Sequence, residues 1–193
     1  MDIDIDFPNR ATALSLFDHV VASRLDKDKL VKHNTGVYFQ RTPIVAEKNI
    51  SAIPHTVTEE CGLFKIDFLN VGIYNGVKDE AHLVTLMNQE PIWELLEQDD
   101  FTNMLFHVNG HGNILREMKP KNITQLAAVL AMIRPAKRYL VGKSWNQVEL
   151  EIWSKPITAE YYWKKSHAYA YAMTVIVQMN LICENLETET PGV

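Results

Sequence analysis

Four carboxylates carry the strongest chemical signal in this chain. Asp2, Asp4 and Asp6 alternate with Ile3, Ile5 and Phe7, the two-residue period of a β-strand with one apolar face. On such a strand the acids line one side, roughly 6.5–7 Å apart, and repel one another unless a cation sits over them. Mg²⁺ suits that role, because it takes one or two carboxylates together with substrate phosphates. The fourth acid is Asp67, in the apolar stretch Gly62 to Phe68. There Phe64, Ile66 and Phe68 take one strand face, and Leu63, Lys65 and Asp67 take the other. An acid in such a strand is costly to bury alone, so it must face a cleft, a cation or a salt-bridge partner. If the two acidic strands lie side by side, Asp2, Asp4 and Asp67 can hold two Mg²⁺ ions about 3.5–4 Å apart, the arrangement used for in-line displacement at phosphorus. The ordinary alternative is a solvated edge strand whose charges discourage aggregation.

The elements that must position these acids follow from hydrophobic spacing and from turn residues. Pro8-Asn9 reads as a turn with Asn9 as N-cap. Ala13, Leu16, Phe17, Val20 and Val21 then share a helical face as far as Arg24. Asp26 to Lys29 breaks that pattern, Lys32 to Gly36 reads as a turn, and Val37 to Gln40 as a strand. Residues 41–60, with Pro43 and Pro54, read as a loop. Beyond Asp67 the pattern predicts helices over 76–88 and 91–98, a strand over 104–108, and a turn at Gly110-His111-Gly112 into a helix bearing Ile114, Leu115 and Met118. A further helix runs from Ile123 and stops before Pro135. Ser144 with Gln147 forms a capping-box pattern, and a long apolar helix spans 168–185 ahead of a polar tail.

Composition sets the outer limits. With 193 residues, 47% hydrophobic and 22% charged, the chain is an ordinary globular one with room for a real core. No apolar run has the length of a membrane span. Two distant cysteines, Cys61 and Cys183, give neither a disulfide framework nor a zinc-cysteine site and fit a reducing cytoplasm. Residues 1–100 carry 9 basic and 17 acidic side chains, whereas residues 101–193 carry 10 basic and 7 acidic. That split suits a protein holding metal ions on one side and a polyanion on the other.

Three smaller features have ordinary readings beside functional ones. His107 and His111, four residues apart, would suit zinc on a shared helical face, but the glycines at 110 and 112 favour a turn. Backbone N–H groups of Gly110 to Gly112 at a helix start could hold a phosphate. Tyr161-Tyr162-Trp163 beside Lys164-Lys165 could stack on bases, with core packing as the simpler role.

A series of short matches, in order, resembles the alpha subunit of bacterial DNA polymerase III. DIDIDFPNR (Asp2 to Arg10) is similar to the family's acidic strand followed by an arginine. LVKHNTGVYF resembles its KH segment, and CGLFKIDFLNV its second acidic strand. LFHVNGHGNILREMKP, AVLAMIRP and KKSHAYAYAM resemble later segments. The resemblance implies an α/β (α+β) fold: a small mixed sheet carrying the acidic strands and packed by helices, a nucleotidyltransferase-like palm with trimmed fingers. It implies Asp2, Asp4 and Asp67 as catalytic metal ligands for two Mg²⁺ (or Mn²⁺) ions. Asp6 takes at most a secondary role. Lys32, His33, Arg134, Lys165 and His167 fall on positions that contact nucleotide or DNA.

The chain also departs from that family. The family's Gly-Ser-rich triphosphate-gripping segment is expected to have no counterpart ahead of Met1, the intervals between the first strand and the KH segment and between Arg134 and Lys165 are short, and RPGP has become Arg134-Pro135-Ala136-Lys137. The expectation is a single domain, palm-like over 1–110 and reduced fingers-like over 111–186, with a flexible tail over 187–193. Such economy fits a phage gene acting in the host cytoplasm. The implied function is template-directed nucleotidyl transfer in DNA replication on a primer-template with deoxynucleoside triphosphates, a partner chain completing the site. The rival is a catalytically inactive palm relic acting as a DNA-binding or protein-interaction module. A metal-dependent nuclease is a third, weaker reading.

Overall fold

Alternation at the start of the chain forms β1 (Ile3–Phe7), and Asn9 caps the short helix α1 (Arg10–Leu14) by accepting from the Thr12 N–H at 3.2 Å. The computed structural model describes residues 3–157 and 161–189. It divides the chain into two compact units, Met1–Asn75 and Gly76–Val193, a boundary well ahead of the palm–fingers division expected near residue 110.

The first unit holds a six-stranded mixed sheet in the order β1-β6-β3-β2-β5-β4. Its other strands are β2 (Val20–Asp26), β3 (Lys29–Tyr38), β4 (Ile44–Val45), β5 (Ile50–Pro54) and β6 (Ile66–Asn70). β1 runs parallel to β6, β6 and β2 are antiparallel to β3, and β5 runs parallel to β2. Ala13 and Leu14 of α1 pack on Val37 and Phe68, with Phe7 stacked on Phe68 at 4.9 Å between ring centroids. This apolar contact fixes which faces of β1 and β6 turn inward, and therefore where their acids go.

The helix expected to run through Arg24 stops at Leu14. Val20 and Val21 are β-branched and pair with Tyr38 and Val37 instead. Leu16 and Phe17, which the helical reading placed in the core, are 75% and 55% exposed. The charged stretch Asp26 to Lys29 is the tip of a hairpin, with Lys27 and Asp28 both at positive φ (46° and 66°), as a two-residue type I′ turn requires. Lys32 to Gly36, expected as a turn, is a bulge within β3: four residues, His33 to Gly36, lie opposite Ala22 alone. Residues 41–60 contain β4 and β5 in place of a featureless loop.

The second unit is helical: α2 (Glu80–Asn88), α3 (Asp99–Met104), α4 (Gly112–Met118), α5 (Ile123–Met132), α6 (Trp145–Glu151) and α7 (Lys165–Glu189). Every residue of α5 from Leu126 to Met132 is buried, as befits a helix apolar on all sides. Ala168, Ala172, Val175, Ile176 and Met179 of α7 belong to the same core. The capping box forms as expected, the Gln147 Oε1 accepting from the Ser144 N–H at 3.2 Å. The strand expected over 104–108 is absent. Gln178 of α7 supplies both hydrogen bonds a neighbouring strand would have given, accepting from the Phe106 N–H and donating to the Met104 carbonyl, each at 2.7 Å. No described helix is long and apolar enough to cross a membrane.

Candidate functional site

Parallel pairing of β1 with β6 sets Asp4 directly opposite Asp67. Cross-strand partners point to the same side of a sheet, so the two carboxylates share a face, opposite the one on which Phe7 and Phe68 stack. Asp4 is exposed and Asp67 is buried. Asp2 lies outside the described residues. Asp6, on the same side of β1 as Asp4, accepts a long 3.4 Å hydrogen bond from the Tyr74 hydroxyl.

Asp67 is held by its neighbours. The Thr35 hydroxyl donates to Oδ1 at 2.6 Å, and the Lys65 ammonium pairs with Oδ2. Burial alone would push the carboxyl up, but the hydrogen bonds from Lys65 and Thr35 outweigh it and hold the group below the usual carboxylate range. Lys65 reaches Asp67 across Gly36, where an added Cβ would stand 2.8 Å from the lysine Cδ. The bulge in β3 therefore performs two tasks, turning the Thr35 hydroxyl onto Asp67 and leaving a gap for the lysine stem.

His33 belongs to the same bulge. Its Nδ1 accepts from the N–H groups of Gly36 at 2.9 Å and Thr35 at 3.3 Å. A nitrogen used twice as an acceptor carries no proton, so its 3.7 Å approach to Asp67 Oδ1 is not an ion pair. Burial, then the nearby Lys65, keep this imidazole below its ordinary range against the pull of Asp67. Arg10 donates from Nη2 to the Thr35 carbonyl at 3.2 Å, and its Nε is buried without a partner. Lys32 is exposed on β3 opposite Ser23 and makes no hydrogen bond or ion pair among the described residues.

In the second unit, Arg134 follows α5, and its guanidinium carbon lies 3.9 Å from the centroid of the buried Trp163 ring. Its Nη2 faces His107 Nδ1 at 3.5 Å. The His107 ring is enclosed by Phe106, Tyr171 and Trp163, with centroids at 3.9, 4.3 and 5.0 Å. Burial, with Arg134 and His167 nearby, pushes the imidazole down to about 4. His107 has φ 62°, a left-handed conformation that costs a non-glycine residue roughly 1–2 kcal/mol. Arg134 Nε and His107 Nε2 are both buried without a partner, each an expense of about 1–3 kcal/mol. His167 contacts Trp163 and Tyr171, at 5.0 and 4.7 Å. Lys165 is exposed at the start of α7, its ammonium 5.7 Å from the Tyr169 ring.

The smaller readings resolve toward structure. His107 sits in a turn and His111 caps α4, so they share no helical face. Among the described residues no group of three His, Cys, Asp or Glu side chains is gathered for a metal. Gly112 is explained by packing, since an added Cβ would collide with the Asp99 carboxylate and sit 2.9 Å from the Thr102 hydroxyl. Trp163 is a core residue whose Nε1 donates to the Tyr161 hydroxyl at 3.0 Å.

Sequence reasoning named the acids and the basic residues but missed the groups that hold them: Thr35 and Lys65 on Asp67, and His107 and Trp163 on Arg134. The signal for Lys65 was its place two residues before Asp67 on one strand face. No family model, curated protein or solved structure matches this chain.

Proposed function

We propose that the first unit is a DNA polymerase III alpha-like palm that performs template-directed nucleotidyl transfer in DNA replication, with another protein chain completing the site. The observation that carries this reading is the register of β1 on β6, which brings Asp4 and Asp67 to one face from positions far apart in the chain. Two carboxylates on one face fit the hard oxygen donors that Mg²⁺ or Mn²⁺ prefers, with Asp2 the third donor in the proposal. When bound, such ions activate a primer 3′-hydroxyl and steady the departing pyrophosphate. The chain's own part is positional. Lys65 and Thr35 keep Asp67 ionised and oriented, and exposed Asp4 meets the substrate side. Lys32, His33, Arg134, Lys165 and His167 contact phosphates of nucleotide or DNA. His33 does so through Nε2, since its Nδ1 is occupied.

A second reading draws on a different observation. Both oxygens of Asp67 already have protein donors, which suits a catalytically inactive palm that keeps the acid for folding and acts as a DNA-binding or protein-interaction module. Primer extension with Mg²⁺ or Mn²⁺, alone and with neighbouring gene products, separates the two. Transfer activity that disappears in Asp4→Asn protein of unchanged stability supports the first. Extension that survives Asp4→Asn combined with Asp67→Asn refutes the assigned site, and salt-sensitive DNA binding without any metal-dependent chemistry supports the second.

A further inference from the structure

We infer that His107 is a positioning residue that holds Arg134 as the recognition edge of a phosphate pocket in the second unit. The choice of phosphate rests on the nucleotide- and DNA-directed function proposed above; the positioning role does not.

His107 takes a backbone conformation that side chains rarely adopt, and what it gains there is an acceptor aimed at Arg134. The guanidinium is fixed in two directions. Trp163 covers one face at 3.9 Å, and His107 Nδ1 meets Nη2 at 3.5 Å. Among the described residues no carboxylate pairs with Arg134. The charged group that acts on it is Arg138, and Arg134 in turn acts on His107 and His111. A half-buried arginine with an enclosed Nε ordinarily recruits an acid. One that is stacked on an indole, set near a second arginine and left with its Nε unpartnered is prepared for a ligand that brings the negative charge. Phosphate is taken over a carboxylate from the nucleotide- and DNA-directed function proposed above, with Arg138 as a second fixed positive charge acting on the same place. The His107 ring is packed among Phe106, Trp163 and Tyr171, and among the described residues its Nδ1 meets no side chain other than Arg134 within hydrogen-bonding distance.

The test uses the full chain and two probes: inorganic tripolyphosphate, followed by tryptophan fluorescence with Trp163→Phe identifying the reporter, and a fluorescein-labelled oligothymidine, followed by anisotropy. Arg134→Gln is expected to weaken binding about tenfold or more, the effect of losing one charge-assisted contact. Arg134→Lys loses nearly as much, because charge without the planar edge does not restore the pocket. Asparagine places its Oδ1 where His107 has Nδ1 and tolerates the left-handed backbone, so His107→Asn should bind within about threefold of the wild type. His107→Leu, of similar shape without an acceptor, should fall about tenfold. Absence of binding to either probe, or Arg134→Gln binding as the wild type does, overturns the pocket. Equal losses in folded His107→Asn and His107→Leu overturn the positioning role. If His107→Leu does not fold, full recovery in Arg134→Lys overturns it instead. Binding of tripolyphosphate alone assigns the phosphate to a free nucleotide, and binding of the oligonucleotide assigns it to a nucleic-acid backbone. Both titrations are run in EDTA, where the metal site assigned to Asp4 and Asp67 cannot contribute, so failure of the transferase reading leaves this result standing.

Discussion

Replacing Lys65 with methionine should reverse the way Asp67 responds to acid. Methionine keeps the stem over Gly36 and removes only the ammonium. In the wild type, Asp67 is held below its ordinary carboxylate range, so its contribution is present above the unfolded carboxylate value and is lost as pH falls through the folded one. Without Lys65 the carboxylate keeps Thr35 as donor but remains buried, and burial then dominates and raises it above the unfolded value. Lys65→Met should therefore be least stable near neutral pH and recover as the solution is acidified. Both side chains are only 11–13% exposed, so stranding one charge should cost about 3–5 kcal/mol at pH 7, a large part of the 5–15 kcal/mol typical of a domain. Urea unfolding of both proteins between pH 7 and pH 4 measures this, and the difference between them isolates Asp67 from the other carboxylates. Lys65→Met combined with Asp67→Asn should restore most of the loss. A loss below about 1 kcal/mol in Lys65→Met, with the same pH dependence as the wild type, would show that the pair does not form.

Gly36→Ala should destabilise the protein by about 1–3 kcal/mol in the same assay, because its Cβ meets Lys65 Cδ at 2.8 Å and His33 Nδ1 at 3.0 Å; an unchanged midpoint would place Lys65 elsewhere. His107, pushed down to about 4 from an ordinary 6.5, favours the folded state fully above pH 6.5 and loses that advantage as pH falls toward 4, about 3 kcal/mol in all. His107→Asn should lack this component, and equal pH profiles for the two proteins would contradict it.

The acidic strands were legible because strict alternation has one structural meaning, and counting in twos set Asp4 and Asp67 each opposite the apolar face of its own strand; that the two strands pair is seen only in the fold. The α1–β2 region was not legible. Ala13, Leu16, Phe17, Val20 and Val21 do fit a helical stripe, and only pairing with β3 overrides it. The bulge at His33 to Gly36 was hidden for a related reason. Its turn-like residues do turn the chain, but inside a strand, to deliver Thr35. Gln178 standing in for a neighbouring strand is a contact across the fold that no local pattern encodes. In the second unit Arg134 was conspicuous as a basic residue, while its tie to His107 across a left-handed turn left no trace in the spacing.

The chain's opening strand sits at the rim of the sheet and finds its neighbour some sixty residues later. Closing so long a loop has an entropic toll that local pairing avoids, so Ile3–Phe7 waits unpaired during synthesis until Ile66–Asn70 has emerged and settled beside β3. A rim strand seated late is also the first to peel away under mild denaturant. Amide exchange in Ile3–Phe7 will outrun that of β3, and Asp4 departs from beside Asp67 while the remaining strands stay assembled.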